Sequence, residues 1–290
     1  MADLLIGLVT HARSRFPESA GPSGAAARIA SAFTGQVLLR TCSDDLLDDD
    51  TPVTPAITDA SVRDYAAVQR EWIDYLADGR GSSTSRLAHR AAARLRLTVA
   101  ETVHGHGVAY ASGPASLRRL LNIELAHLSL LQQARDLGDA WTLVIEDDAT
   151  CADATEVARN LVALMALPES ARPWLVNLSC SFTPRELGTQ HLLRPAAFTW
   201  QGNTQRDVLM ASRPVTNTVC ANLYSPDLLP ILLRQWRALP TVPVIPIDWR
   251  LNRMLMDMHR SGDFAAGRCW TVEPGPLVQG SLHAASADRS

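Results

Sequence analysis

Glu146, Asp147 and Asp148 follow without a break on the apolar run Trp141-Thr142-Leu143-Val144-Ile145. Three adjacent carboxylates repel one another unless a cation or a set of hydrogen-bond donors sits among them. The run before them is short and holds β-branched residues, which reads as an interior strand ending in the acids. Side chains alternate along an extended segment, so Glu146 and Asp148 are expected on one face and Asp147 on the other. An acid-x-acid pair suits a hard divalent cation that carries substrate phosphates. Mn2+ or Mg2+ is favoured because every candidate ligand is an oxygen. Asp148 is the expected direct ligand with Glu146 beside it, and Asp147 a hydrogen-bond acceptor. The competing reading is a strand followed by a solvated acidic turn.

Asp248 comes about a hundred residues later, after Pro243-Val244-Ile245-Pro246-Ile247. That apolar lead-in would desolvate its carboxyl, raise its pKa and suit it to accept a proton. Its structural alternative is the N-cap of a helix beginning at Trp249. Glu124 and His127 stand three residues apart on one predicted helix and share a face bordering its leucine stripe. From there they would reach the acidic strand, and the plain alternative is a satisfied core pair. Arg118 and Arg119 sit near the start of the same helix, where a cation opposes the helix dipole. A phosphate contact would explain Arg118, and a solvated surface is the other account. Thr10, His11, Arg13 and Arg15 follow the first predicted strand at the expected ligand edge and form a candidate nucleotide-binding group. His104-Gly105-His106 has alternating spacing but no third ligand within reach in sequence, and reads as a turn.

These residues need a scaffold, and the hydrophobic pattern supplies one. Strands are expected at residues 4–10, 36–41, 141–149, 174–178 and 215–224, with two short strand-like pieces within 98–111. Helices are expected up to about residue 33, over 115–137, 154–165, 226–239 and 248–259, and as a hairpin over about 60–96. That hairpin reads as an insertion covering one side of the site. Residues 181–206 lack periodicity and read as a long loop, a type that often carries function. Strands alternating with helices argue for a layered α/β domain over 1–290, with a mostly parallel mixed central sheet flanked by helices and a flexible tail at 281–290. In such sheets ligands bind at the carboxyl ends of the strands.

Composition narrows the function classes. Hydrophobic residues make up 47% and charged residues 20% of the 290, as in ordinary globular proteins. A formal net charge of -3 argues against a nucleic-acid partner, which would call for a basic face. Every cationic side chain is arginine, so lysine Schiff-base and P-loop chemistry is excluded. The five cysteines are scattered with no Cys-x-x-Cys pair, which suits buried free thiols in a reducing cytoplasm. The first ten residues lack a basic region and a cleavage site and read as a strand, and no stretch approaches the ~18 apolar residues of a membrane span. Motifs for serine hydrolases, dinucleotide folds, P-loops and zincins are absent.

The order Asn122-Ile123-Glu124-Leu125-Ala126-His127-Leu128-Ser129, then Leu143-Val144-Ile145-Glu146-Asp147-Asp148-Ala149, resembles glycosyltransferase family 25, which includes lipooligosaccharide galactosyltransferases. Val219-Cys220-Ala221-Asn222-Leu223-Tyr224-Ser225, Pro246-Ile247-Asp248 and Val272-Glu273-Pro274-Gly275-Pro276-Leu277-Val278-Gln279 resemble its later segments. The likeness spans roughly residues 115 to 280. Ala126 stands where the family usually has Ser, and the first third lacks the family's Asn-Leu-x-x-Arg opening. The resemblance implies a GT-A fold and transfer of a sugar from a nucleotide-diphosphate donor to a hydroxyl acceptor, a saccharide or other molecule, with inversion. It implies metal assistance at Glu146 and Asp148, donor contacts from Glu146 and Asp147, and roles for Asp248, His127 and Glu124 in catalysis. A metal-dependent phosphoesterase or nucleotidyltransferase, and a sugar-nucleotide-binding scaffold without turnover, are the alternatives from other classes.

Overall fold

The computed structural model describes residues 3–10, 14, 16–42, 54–79, 82–104, 114–179, 181–216, 218–240 and 243–280. Strand β1 (Leu4–Val9) is buried along its whole length, as a strand covered on both faces must be. It lies between β2 (Val37–Cys42) and β3 (Trp141–Glu146), parallel to both, with Val9 level with Cys42 and Glu146. Beyond β3 follow β8 (Ala221–Tyr224), β5 (Leu175–Asn177), β9 (Cys269–Glu273), β7 (Asp207–Ala211) and β6 (Leu193–Pro195), giving an eight-stranded sheet. Strand β4 (Ala149–Cys151) leaves this sheet and pairs antiparallel with β10 (Leu277–Gln279).

The expectation of a mostly parallel sheet is corrected. Six strands run one way, but the reversed β8 and β7 are interleaved among them. Three pairings are therefore parallel and four antiparallel.

Alternation along the strands divides the interior into two cores. Leu4, Ile6, Leu8, Leu143 and Ile145 face α1 (Ala25–Ala32) and α5 (Ala154–Met165), meeting Ile29, Val157 and Leu161. Leu5, Val9 and Val144 face the other way. There they meet α2 (Pro55–Asp78), α4 (Pro114–Asp136), α6 (Leu228–Ala238) and α7 (Ile247–Ser261). Each fully buried Leu or Ile here stabilises the fold by about 1.5–3 kcal/mol. Gly7 shares the row of Leu5 and Val9, and a Cβ there would lie 2.8 Å from Leu130 Cδ1. The missing side chain is what lets α4 settle onto β1.

Three expectations for local structure need correction. The hairpin is longer than 60–96, and α2 is no added flap: Tyr65, Val68, Trp72, Tyr75 and Leu76 belong to the core, and α2 packs on α7. Residues 98–104, expected as strand-like, continue the helix α3 (Ser83–His104), because the alanine- and arginine-rich turns before them carry the helix on through Thr98, Val99, Thr102 and Val103. The rest of that stretch lies outside the described residues. Within 181–206 the chain forms a 3-10 turn at Gln190–Leu192 and β6, with β7 directly after. Both strands are short and half-exposed, so neither leaves a clear period. Among the described residues no helix is long and apolar enough to cross a membrane.

Candidate functional site

The acids sit where β3 ends, at the carboxyl edge of the sheet. Glu146 is the last residue of β3, and its N–H donates to the Cys220 carbonyl at 2.9 Å, extending the pairing with β8 by one residue. Register with β1 sets Thr10 beside Asp147, and Thr10 Oγ1 donates to Asp147 Oδ2 at 2.9 Å. Asp147 and Asp148 form a two-residue turn into β4. The Asp148 carbonyl accepts the Gly280 N–H at 2.7 Å, and a Cβ on Gly280 would lie 3.0 Å from that same oxygen. A glycine at the end of β10 therefore lets the two segments close around the turn. The expectation that Glu146 and Asp148 share a strand face is corrected: the strand stops at Glu146, so period-two alternation does not extend to Asp148.

None of the three acids stands free in water. The Glu146 side chain is 18% exposed, Asp147 is half-buried, and Asp148 is 7% exposed. Following Val144, Glu146 points to the face covered by α4 and α7. There His127, itself 1% exposed, places Nε2 3.4 Å from Glu146 Oε1. Behind the acids lies Cys220, fully buried. Burial pushes its thiol far up, and the charges of Glu146, Asp148 and Asp147 push it further.

Asp248 reaches the same patch from α7. Burial raises its carboxyl from 3.8 to about 6; the Trp249 N–H pulls it down, the Glu146 charge pushes it up, and its own N–H pulls it down. The alternative reading of Asp248 as N-cap is corrected. The helix starts at Ile247 with Pro246 as cap, so Asp248 stands in the first turn, where unpaired backbone N–H groups turn toward its carboxylate. Glu146 and Asp248 are thus within electrostatic reach of each other, although far apart in sequence.

Glu124 does not join them. Its carboxylate takes the Arg250 Nε at 2.7 Å and the Trp236 Nε1–H at 3.2 Å, all within the core. Burial pushes it up to about 7 against the pull of Arg250 and of the Trp236 hydrogen bond. The catalytic expectation for Glu124 is corrected to a structural tie between α4, α6 and α7. Sharing a helix face with His127 was not enough, because the helix is buried on more than one side. Arg118 lies near the start of α4, about 13 Å along the helix axis from His127. His11, Arg13 and Arg15 lie outside the described residues, as do Gly105 and His106.

A set of neutral residues that sequence reasoning overlooked links these parts. Asn252, one turn after Asp248 on α7, accepts the Thr216 N–H at 3.0 Å and donates to the Thr216 carbonyl at 3.3 Å. Thr218 Oγ1 accepts the Cys220 N–H at 3.2 Å, and the Cys220 carbonyl holds Glu146. The helix carrying Asp248 is in this way pinned to the strand end carrying Glu146. The signal in the sequence was the i, i+4 spacing of Asp248 and Asn252 together with the polar run Thr216-Asn217-Thr218 before an apolar strand.

Among the described residues, no three His, Cys, Asp or Glu side chains gather closely enough to hold a metal ion by themselves. Two surface depressions, of about 350 and 500 Å³, open elsewhere. One lies at the opposite sheet edge by Arg135, Arg172 and Asp227, the other behind the turn by Cys151, Arg206 and Pro274. No protein-family model matches the chain, and no curated protein sequence matches it either.

Proposed function

We propose that this protein is a GT-A-like glycosyltransferase that moves a sugar from a nucleotide-diphosphate donor to a hydroxyl acceptor. The observation that carries the proposal is the acidic turn after β3 at the sheet edge where α/β proteins bind ligands, with Asp248 within electrostatic reach of Glu146. Asp248 is the general base. With its pKa raised to about 6, it is ionised near neutrality yet basic enough to take the acceptor hydroxyl proton. In-line attack of that oxygen on the anomeric carbon inverts the configuration, as the family resemblance implies.

Glu146 and Asp148 are the oxygen donors for Mn2+ or Mg2+. A hard cation of this kind is commonly held by one or two carboxylates and completed by substrate phosphates, which suits a patch without a three-residue protein cage. When bound, the ion neutralises charge developing on the departing diphosphate. His127 is a positioning residue that orients the Glu146 carboxylate. Thr10 holds Asp147 and borders the donor. A reducing, cytoplasmic setting belongs to the same proposal and accords with the buried cysteines Cys42, Cys151, Cys220 and Cys269, which form no disulfide with one another.

The test is a melting series of the full chain with a panel of nucleotide-diphosphate sugars, with and without Mn2+, followed by product analysis. One donor should raise the melting point in a Mn2+-dependent way, and Asp148→Ala should remove that dependence while leaving the circular dichroism unchanged. The same donor should release its nucleoside diphosphate as the sugar passes to acceptor or water. No stabilisation by any donor, or an unaltered response in Asp148→Ala, overturns the site. Cleavage at a phosphate ester would assign phosphoesterase chemistry, and binding without turnover a scaffold.

A further inference from the structure

Strand β10 carries a polar side chain where its pattern calls for an apolar one. Leu277 and Gln279 share a face of the strand, opposite Cys151 and Ala149 of β4. Leu277, Cys151 and Ala149 are all buried in one of the two cores. Gln279 is half-buried instead, and Ser181 Oγ donates to its Oε1 at 2.7 Å.

That contact sets the direction of a chain of hydroxyl groups. A carboxamide oxygen can only accept, so the single Ser181 hydroxyl proton is committed to Gln279. Ser181 Oγ must then accept from Thr218 Oγ1 at 3.2 Å, and Thr218 in turn from Ser179 Oγ at 2.9 Å. Thr218 Oγ1 also accepts the Cys220 N–H at 3.2 Å, which fills its second lone pair. Ser179 and Thr218 are buried, so the hydroxyl protons run from the interior outward, and bonds linked in this way polarise one another. At the open end, Gln279 Nε2 has no acceptor among the described residues. Gln279 Oε1 keeps one lone pair beside it.

This end of the chain lies at the acidic turn. Gln279 is level with Ala149, the residue after Asp148, and such strand partners have Cα atoms about 4.5–5.5 Å apart. Three neighbouring carboxylates disfavour an anion at the amide, and a phosphate or carboxylate oxygen could only accept. A hydroxyl group both donates and accepts, which matches an amide presenting N–H groups next to an oxygen. We infer that Gln279 binds a ring hydroxyl of the donor sugar, with Ser181 as the positioning residue that holds its amide. The inference rests on the sugar-transfer proposal, which puts the diphosphate at Asp148 and so brings the attached sugar within reach of Gln279.

The experiment compares affinities of the full chain for the stabilising nucleotide sugar and for its nucleoside diphosphate alone, read with Mn2+ from melting shifts over a concentration series. Gln279→Met should weaken the nucleotide sugar about three- to tenfold and leave the nucleoside diphosphate within about twofold, as expected for lost hydrogen bonds to the sugar alone. Ser181→Ala should act in the same sense, and Ser181→Thr, which keeps the hydroxyl, should bind like the parent. A merely structural role would lower both affinities together. Equal losses for the two ligands, undiminished binding of the nucleotide sugar, or Ser181→Thr behaving like Ser181→Ala would overturn the inference and leave the sugar-transfer proposal standing. A parent that answers to no nucleotide sugar would overturn that proposal, and this inference with it.

Discussion

Asp248 is held by two opposed influences, burial and the Glu146 charge raising its pKa and backbone N–H groups lowering it, with the first pair prevailing. The consequence for stability has a definite sign. A carboxyl whose folded pKa lies above its ordinary value favours the protonated fold. Its stabilising contribution is complete below about pH 4 and disappears as the pH rises through about 6. At about 1.4 kcal/mol per pKa unit, the loss amounts to at most about 3 kcal/mol. Asp248→Asn should flatten this part of the stability curve, seen as urea midpoints that change less between acid and neutral pH than in the parent. Glu124, pushed up to about 7, leaves a residual slope of the same sign. A parent-like pH slope in Asp248→Asn would mean that the carboxyl is not buried as described.

The elements that carry the site are joined through side chains more than through backbone. Helix α4 carries His127 and helix α7 carries Asp248, and the Glu124–Arg250 pair ties the two beneath the site. A buried pair of this kind contributes little over an apolar replacement, but breaking it strands a charge. Arg250→Met should therefore destabilise the protein by about 3–5 kcal/mol in denaturant titration. Adding Glu124→Gln should recover much of that, since the amide keeps an acceptor for the Trp236 N–H. A single variant within about 1 kcal/mol of the parent would show that the pair is not a structural tie.

Over the whole molecule, order is concentrated in the centre of the sheet. Strands β1 and β3 are covered on both faces, whereas α3 packs chiefly on α2 through partly exposed ion pairs. Exposed pairs contribute under about 1 kcal/mol each, so α3 should open without the sheet. Native-state hydrogen exchange should find β1 and β3 amides exchanging only by global unfolding and α3 amides through a smaller opening. Equal opening free energies for α3 and β3 would contradict this.

Local pattern in the sequence determined a good deal. The run 141–146 showed a buried strand ending in acids, the leucine spacing after Leu117 showed α4, and the apolar lead-in to Asp248 marked a carboxyl with a raised pKa, because burial, period and capping are properties of neighbouring residues. What needs partners from distant segments was not legible. The turn at Asp147 depends on β10 arriving at Gly280, and Glu124 was diverted by an arginine on another helix. The reversal of β8 and β7 follows from pairings among strands too short to announce themselves. Tertiary structure alone decided that Asp248 should come within electrostatic reach of Glu146, since only packing α7 beside the sheet, with Asn252 clamped to Thr216, can overcome their long sequence separation.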